Sequence, residues 1–215
     1  MTDQTLTTGR SLSEFTAQLA SAQPAPGGGG AAALAGALAA SLAAMAANVT
    51  AANPRYADRH DALATLAASC DAQRMTLLAL IDADAAGFLP LQRAYAIPKD
   101  DPTRAARLAD AAHTACLAPL AMLEHCEQVA LLLPAALSTA SPLLRSDVGC
   151  AAALCSAATE AAELNVLVNT GLLAPDDRAA TEARAARLRA TVVQCCAQTR
   201  CAPRCAGRAE PCRTP

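Results

Sequence analysis

The sequence predicts an all-α protein, a single-domain bundle of about six helices. Three observations carry this prediction. Alanine dominates from Gly30 onward, and alanine is the strongest helix former. β-Branched residues are sparse and scattered, so no run reads as a strand. Apolar residues recur at helical steps of three and four in several segments. A chain of 215 residues, 53% hydrophobic, is long enough to bury a sizeable core.

The elements follow in order. Ser11-Leu12-Ser13-Glu14 is a capping box, in which Ser11 accepts the third helical amide and Glu14 reaches back. Leu12, Phe15 and Leu19 make the stripe of a short helix that ends before Pro24. Pro24-Ala25-Pro26-Gly27-Gly28-Gly29-Gly30 cannot be regular structure. The second helix starts there and runs to about Ala52. Leu34, Leu38, Leu42, Met45 and Val49 share one of its faces. Its other faces are alanine and Gly36, which admit close neighbours, so this helix is expected to be central and to suit a subunit interface.

Asn53-Pro54 breaks the chain. The third helix is expected from Tyr56 to Tyr95, kinked at Pro90. Ile97 to Pro102 reads as a loop. The fourth helix runs from Thr103 to Leu133 with Pro119 inside it, and residues 134–142 read as a connection. Ser146-Asp147 opens the fifth helix, which ends near Asn169-Thr170-Gly171. Ala174-Pro175-Asp176-Asp177 opens the sixth, expected to reach about Thr199. The helical domain is thus residues 1–199, and residues 200–215 form a Cys- and Arg-rich tail expected to be irregular.

Composition excludes several classes. The net charge is −2 and no basic patch is interleaved with aromatics, so no nucleic-acid partner is expected. Met1-Thr2-Asp3-Gln4 is not the start of a secretory signal. Gly27 to Val49 is uncharged and long enough to span a bilayer, but it carries Ser41 and Asn48 and lacks close flanking anchors on both sides. It reads as a core helix of a cytoplasmic protein with no membrane partner. The ten cysteines read as free thiols. His113 with Cys116, His125 with Cys126, and the Cys195–Cys212 cluster lack zinc spacing, so no metal site is expected.

A few polar residues stand out. Leu77, Ile81, Asp84 and Phe88 share a helical face, so a carboxylate interrupts an apolar stripe; burial there raises its pKa. Asp82 faces the other way, flanked by Leu78 and Leu89, so periodicity alone favours Asp84 only modestly. The glycine stretch is either a connector or a helix N-terminus whose free amides receive an anion or a polar ring edge. Asn165 and Asn169, one turn apart on an apolar helix, need partners, and Asn48 raises the same question. Asp147 either caps its helix or acts in chemistry; it shares a face with Asn165 but lies about 27 Å away along the axis. Arg55 and Lys99 are either solvated charges or carriers of an anionic group.

Four motifs occur in order: the Pro24–Gly30 stretch with Ala31 to Leu38 and Asn48-Val49-Thr50 behind it; Asp84-Ala85-Ala86-Gly87-Phe88 with Tyr95 and Pro98-Lys99; Ser146-Asp147-Val148-Gly149; and Asn165-Val166-Leu167-Val168-Asn169. Together they resemble the signature of the cyclodeaminase/cyclohydrolase family, over roughly Ser11 to Arg189. The resemblance implies hydrolysis of 5,10-methenyltetrahydrofolate to 10-formyltetrahydrofolate. A tetrahydrofolate derivative is then the substrate, and no prosthetic group or metal is required. It implies Asp84 and Asp147 as catalytic residues. As substrate contacts it implies Pro26, Gly27, Gly28, Gly29, Asn48, Arg55, Tyr56, Lys99, Asn165 and Asn169, and it implies a homodimer. Two alternatives stand beside it: the ammonia-releasing formiminotetrahydrofolate cyclodeaminase reaction, and a non-catalytic helical binding dimer. The chain departs from the family in the single charge at Asn53-Pro54-Arg55, in Pro90 and in its tail.

Overall fold

A computed structural model describes residues 7–205, with side chains through Arg200. Its six α-helices are α1 (Leu12–Leu19), α2 (Gly28–Ala51), α3 (His60–Tyr95), α4 (Arg104–Thr139), α5 (Arg145–Thr170) and α6 (Pro175–Cys205). Short 3-10 turns precede α1, α3 and α5, and the described residues contain no strand. The expected fold class is therefore what the chain adopts.

Helix α2 is central, packed against α3, α4 and α5; α6 closes the bundle against α4 and α5. The interior of α2 is made of methyl groups: Ala33, Ala39, Ala40, Ala43 and Ala46 are fully buried. Its large side chains point outward instead, with Leu38 45%, Met45 37% and Val49 53% exposed. Small side chains let helix axes approach closely, so the neighbours supply the bulk: Leu63, Leu77, Met122, Leu123, Leu133, Val148 and Val166 are all buried. Gly36 marks a close crossing of α2 with α3 and α4. A Cβ there would lie 3.2 Å from Cys126 Sγ and 3.2 Å from a Leu77 methyl.

Three boundaries depart from expectation. Helix α4 does not stop at Leu133 but runs through Pro134 to Thr139. Proline costs a helix one hydrogen bond, here at the Ala130 carbonyl. Buried Val129, Ala130, Leu133 and Ala136 on either side hold the helix together across it. Helix α6 continues beyond Thr199 to Cys205, so the first part of the expected irregular tail is helical. The rest of that tail, 206–215, lies outside the described residues. Helix α3 begins at His60 rather than Tyr56, because Asn53 and Pro54 initiate a 3-10 turn in which Tyr56 is non-helical (φ −112°). The Asn53 side chain caps that turn by accepting the Arg55 amide. Pro90 lies inside α3, as expected.

Helix α1 is short and is held by its ends. Ser11 and Glu14 form the expected capping box, and Phe15 is buried beside Ala32, Ala33 and Ile81. Four helices have the length and hydropathy to cross a bilayer: α2, α3, α4 and α5. In α2, the most apolar, 61% of that stretch is buried inside the bundle.

Candidate active site

The N-terminus of α2 meets α3, α4 and α5 around a cavity of about 180 Å³. Its walls are Pro24, Ala25, Gly27, Gly28 and Gly29 from the loop and first turn of α2. Asp84, Ala85 and Phe88 come from α3, Ala115 and Pro119 from α4, and Asn165, Val168 and Asn169 from α5.

Asp84 sits on the stripe that the sequence marked. Along α3 the stripe runs from core to solvent: Leu77 is fully buried, Ile81 nearly so, Asp84 half-buried and Phe88 36% exposed. Burial raises the Asp84 carboxyl above its ordinary pKa, and a hydrogen bond from the Gly30 backbone amide opposes that rise. The amide is one of the donors that a helix N-terminus leaves without an intrahelical partner. Gly29 is what admits the carboxylate, since a Cβ there would collide with Cγ and both oxygens of Asp84. Asp82 has a different task. It accepts the Thr7 amide (2.7 Å) and the Thr8 hydroxyl (2.9 Å), tying the N-terminal segment to α3.

Across the cavity, Asn165 donates through Nδ2 to the Ala161 carbonyl (2.8 Å). Asn169 donates through Nδ2 to the Asn165 carbonyl (3.0 Å). Asn169 Nδ2 also reaches the Ala115 carbonyl (3.5 Å), so both of its N–H groups are committed to backbone, whereas Asn165 keeps one N–H; each side chain keeps its oxygen as an acceptor for a ligand. With Asp84 they make an acceptor-rich cavity, suited to a group that is cationic or rich in N–H. Asn165 also lies against α2, its Nδ2 3.3 Å from where a Gly28 side chain would begin.

Six residues expected at the site therefore line one cavity: Gly27, Gly28, Gly29, Asp84, Asn165 and Asn169. Pro26 is buried behind its wall, against Gly30. The other five do not reach it within one chain. Asn48 is exposed near the far end of α2, about 30 Å from Gly28 along the axis. Arg55 and Tyr56 lie in the turn beyond that end, where Arg59 stacks on the Tyr56 ring (5.7 Å). Lys99 is exposed in the loop after α3. Asp147 sits in the first turn of α5, the opposite end from Asn165, where a carboxylate suits the helix dipole. Asp84 and Asp147 are thus not a pair around one cavity.

The structure also adds wall residues. Phe88 and Val168 follow Asp84 and Asn165 by one turn, so helical periodicity places them on the same faces. Pro119 and Ala115 arrive from α4 through tertiary packing, and no local pattern announces them. Phe88 offers a flat apolar surface beside the carboxylate. The cavity is smaller than the roughly 300–1,000 Å³ usual for whole small-molecule ligands, so it accepts a ring-sized portion. Among the described residues, no group of three or more His, Cys, Asp or Glu is arranged to hold a metal ion.

Comparison with known proteins agrees with this geometry. The sequence model of the formiminotransferase-cyclodeaminase family matches residues 11–190. A methenyltetrahydrofolate cyclohydrolase of Methylorubrum extorquens is 35% identical over 177 residues, covering 80% of this chain and 84% of that protein. The formimidoyltransferase-cyclodeaminase of Sus scrofa is 33% identical over 165 residues, covering 74% of this chain but only 30% of that longer protein. The crystal structure of formiminotetrahydrofolate cyclodeaminase from Thermotoga maritima superposes with a TM-score of 0.81 at 26% identity, covering 88% of this chain and 93% of that one. The family match spans the whole described cavity, from the Ser11 cap through the glycine loop to Asn169, and the chain belongs to the formiminotransferase-cyclodeaminase family.

Proposed function

We propose that this chain hydrolyses 5,10-methenyltetrahydrofolate to 10-formyltetrahydrofolate, with Asp84 as general base. The observation that carries this reading is a half-buried carboxylate held at the glycine N-terminus of α2, facing two asparagines whose side-chain oxygens remain as acceptors. The substrate's reactive centre is a cationic amidinium carbon. Negative charge beside it stabilises the bound cation and can take a proton from water. Asp84 removes one proton from the attacking water as its oxygen bonds to that carbon. The neutral adduct then breaks its bond to N5, which takes the remaining hydroxyl proton, and the formyl group stays on N10. The proton on Asp84 leaves to solvent. Phe88 and Pro119 give the pteridine an apolar wall, and the asparagine oxygens accept from its N–H edge.

The structural match to a cyclodeaminase favours a second reading of the same cavity: expulsion of ammonia from 5-formiminotetrahydrofolate with ring closure. An absorbance assay on both tetrahydrofolates, with ammonia measured in parallel, decides between them. Turnover of the methenyl compound without ammonia release supports hydrolysis. Ammonia release from the formimino compound supports deamination. Turnover of neither leaves a non-catalytic binding dimer.

Two further proposals belong here. The chain is a homodimer, supported by the exposed apolar side chains along α2. It works in the cytoplasm without membrane or nucleic-acid partners, supported by its acidic net charge and by the burial of α2. Recovery of the protein in the soluble fraction without detergent is the expected result.

A further inference from the structure

The cavity wall Pro24–Gly29 has a feature that neither the motifs nor the mechanism absorbs. Pro24 and Pro26 have no backbone N–H, so this segment has little with which to anchor itself. Its carbonyl at Ala25 is nevertheless held: Gln18, on α1, donates through Nε2 to it at 3.0 Å. Among the described residues this is the one side-chain hydrogen bond to Pro24–Gly27. The other end of the same amide is in an odd position. Gln18 Oε1 is buried and has no hydrogen-bond partner among the described residues. An orphaned acceptor is costly, so a glutamine selected for packing or stability alone would be a poor choice here.

The base from which Gln18 reaches is firm. It lies one turn beyond Phe15, which is buried against α2 and α3, on a helix fixed at its start by the Ser11–Glu14 capping box. The chain then turns through Ser21 and Gln23, where the Ser21 hydroxyl accepts the Gln23 amide, and comes back past Gln18 as Ala25. Ala25 and Pro24 line the cavity directly. Helix α1 thus makes one polar connection, through one side chain, to one wall of the site.

We infer that Gln18 is a positioning residue for the substrate cavity, fixing the Pro24–Gly27 wall through the Ala25 carbonyl without touching the reacting atoms itself. This rests on the folate reading for its kinetic readout only, because the clamp can also be measured without substrate.

The test is Gln18→Met, which keeps length and volume and removes both polar atoms. Three quantities are measured: hydrogen exchange at the Ala25 and Gly27–Gly29 amides, steady-state kinetics on 5,10-methenyltetrahydrofolate, and the thermal midpoint. Faster exchange is expected at those amides. KM should rise about three- to tenfold, the scale of one lost hydrogen bond, and the pH profile of kcat should not move. The midpoint should change little, because removal of the unsatisfied Gln18 oxygen offsets the lost bond to the Ala25 carbonyl. Unchanged exchange and KM would overturn the proposal, as would a KM rise that merely tracks a falling midpoint. Should the methionine variant fail to fold, Gln18→Asn keeps the amide but is too short to reach Ala25, and the same shifts in exchange and KM are expected. If the wild-type protein turns over no folate, the function proposal fails and the exchange measurement alone decides the clamp.

Discussion

The carboxylate of Asp84 occupies the space that a side chain at Gly29 would fill. The two residues come from different helices, and each is intelligible only through the other. Gly29→Ala is expected to displace the carboxylate or the first turn of α2. Turnover should fall about 10²-fold or more, the usual worth of a positioned general base. Gly171→Ala is the control, since nothing lies within 4 Å of its added methyl and it does not line the cavity. Comparable losses in both variants, measured by the same absorbance assay, would contradict this account.

Asp84→Asn separates activity from stability. The rate constant should fall about 10²–10⁴-fold. The thermal midpoint at neutral pH should hold or rise, because the variant no longer desolvates a charge. Asp82→Asn should do the reverse: turnover intact, and stability lowered by about 0.5–1.5 kcal/mol as bonds to Thr7 and Thr8 weaken.

The pH dependence follows from the direction of the Asp84 shift. Its pKa in the folded protein lies above the ordinary value. The folded state therefore favours the protonated form. The associated stabilisation is fully present below the unfolded pKa and is lost as pH rises through the folded one. Activity runs the other way, because the base must be ionised. The acid limb of kcat/KM should fall at a pH above the ordinary aspartate range, and Asp84→Asn should abolish that limb. A flat profile down to the ordinary aspartate pKa would remove Asp84 from the role of base.

The exposed side chains of α2 predict an oligomer. Leu38→Glu combined with Met45→Glu should convert the proposed dimer to the 21.7 kDa monomer by light scattering. Folding should survive, because both side chains point away from the monomer core. A monomeric wild-type protein at micromolar concentration would exclude the dimer.

Thiol accessibility provides a separate check of the packing. Cys70, Cys116, Cys126, Cys155 and Cys196 are buried, whereas Cys150 is exposed. In the native protein a bulky maleimide should label Cys150 rapidly and spare those five until the chain unfolds. Burial raises the Cys70 thiol to about 11, which further suppresses its thiolate. Rapid native labelling of Cys70 would mean that the α2–α3 contact is looser than described.

Much of the fold was legible because its signals are local. The Ser11–Glu14 box, the Pro-Gly break before α2 and the Asp-rich start of α6 each act within one helical turn. Local rules end α4 before Pro134 because they penalise proline, while the burial that overrides the penalty comes from other helices. The site divides the same way. Asp84 and Phe88, or Asn165 and Asn169, are one turn apart and can be paired from sequence. That Asp84 meets Gly29, and that Pro119 closes the wall, depends on how four helices cross. Motif resemblance groups Asp147 with Asp84, whereas the length of α5 holds Asp147 far from Asn165 and the cavity.

The methyl-lined interior of α2 has a consequence for how this protein can change. A core position filled by leucine can drift to a smaller or differently shaped residue, at a cost in cavity volume. A buried alanine at a close helix crossing has almost no smaller option, and every larger one must push an axis outward. Ala39, Ala40, Ala43 and Ala46 are fully buried, so substitution along this helix is a ratchet that opens only outward. A saturation library should therefore divide α2 sharply by face. The alanine positions should reject nearly everything beyond glycine or serine, while Leu38, Met45 and Val49 accept polar replacements to whatever extent the proposed dimer allows.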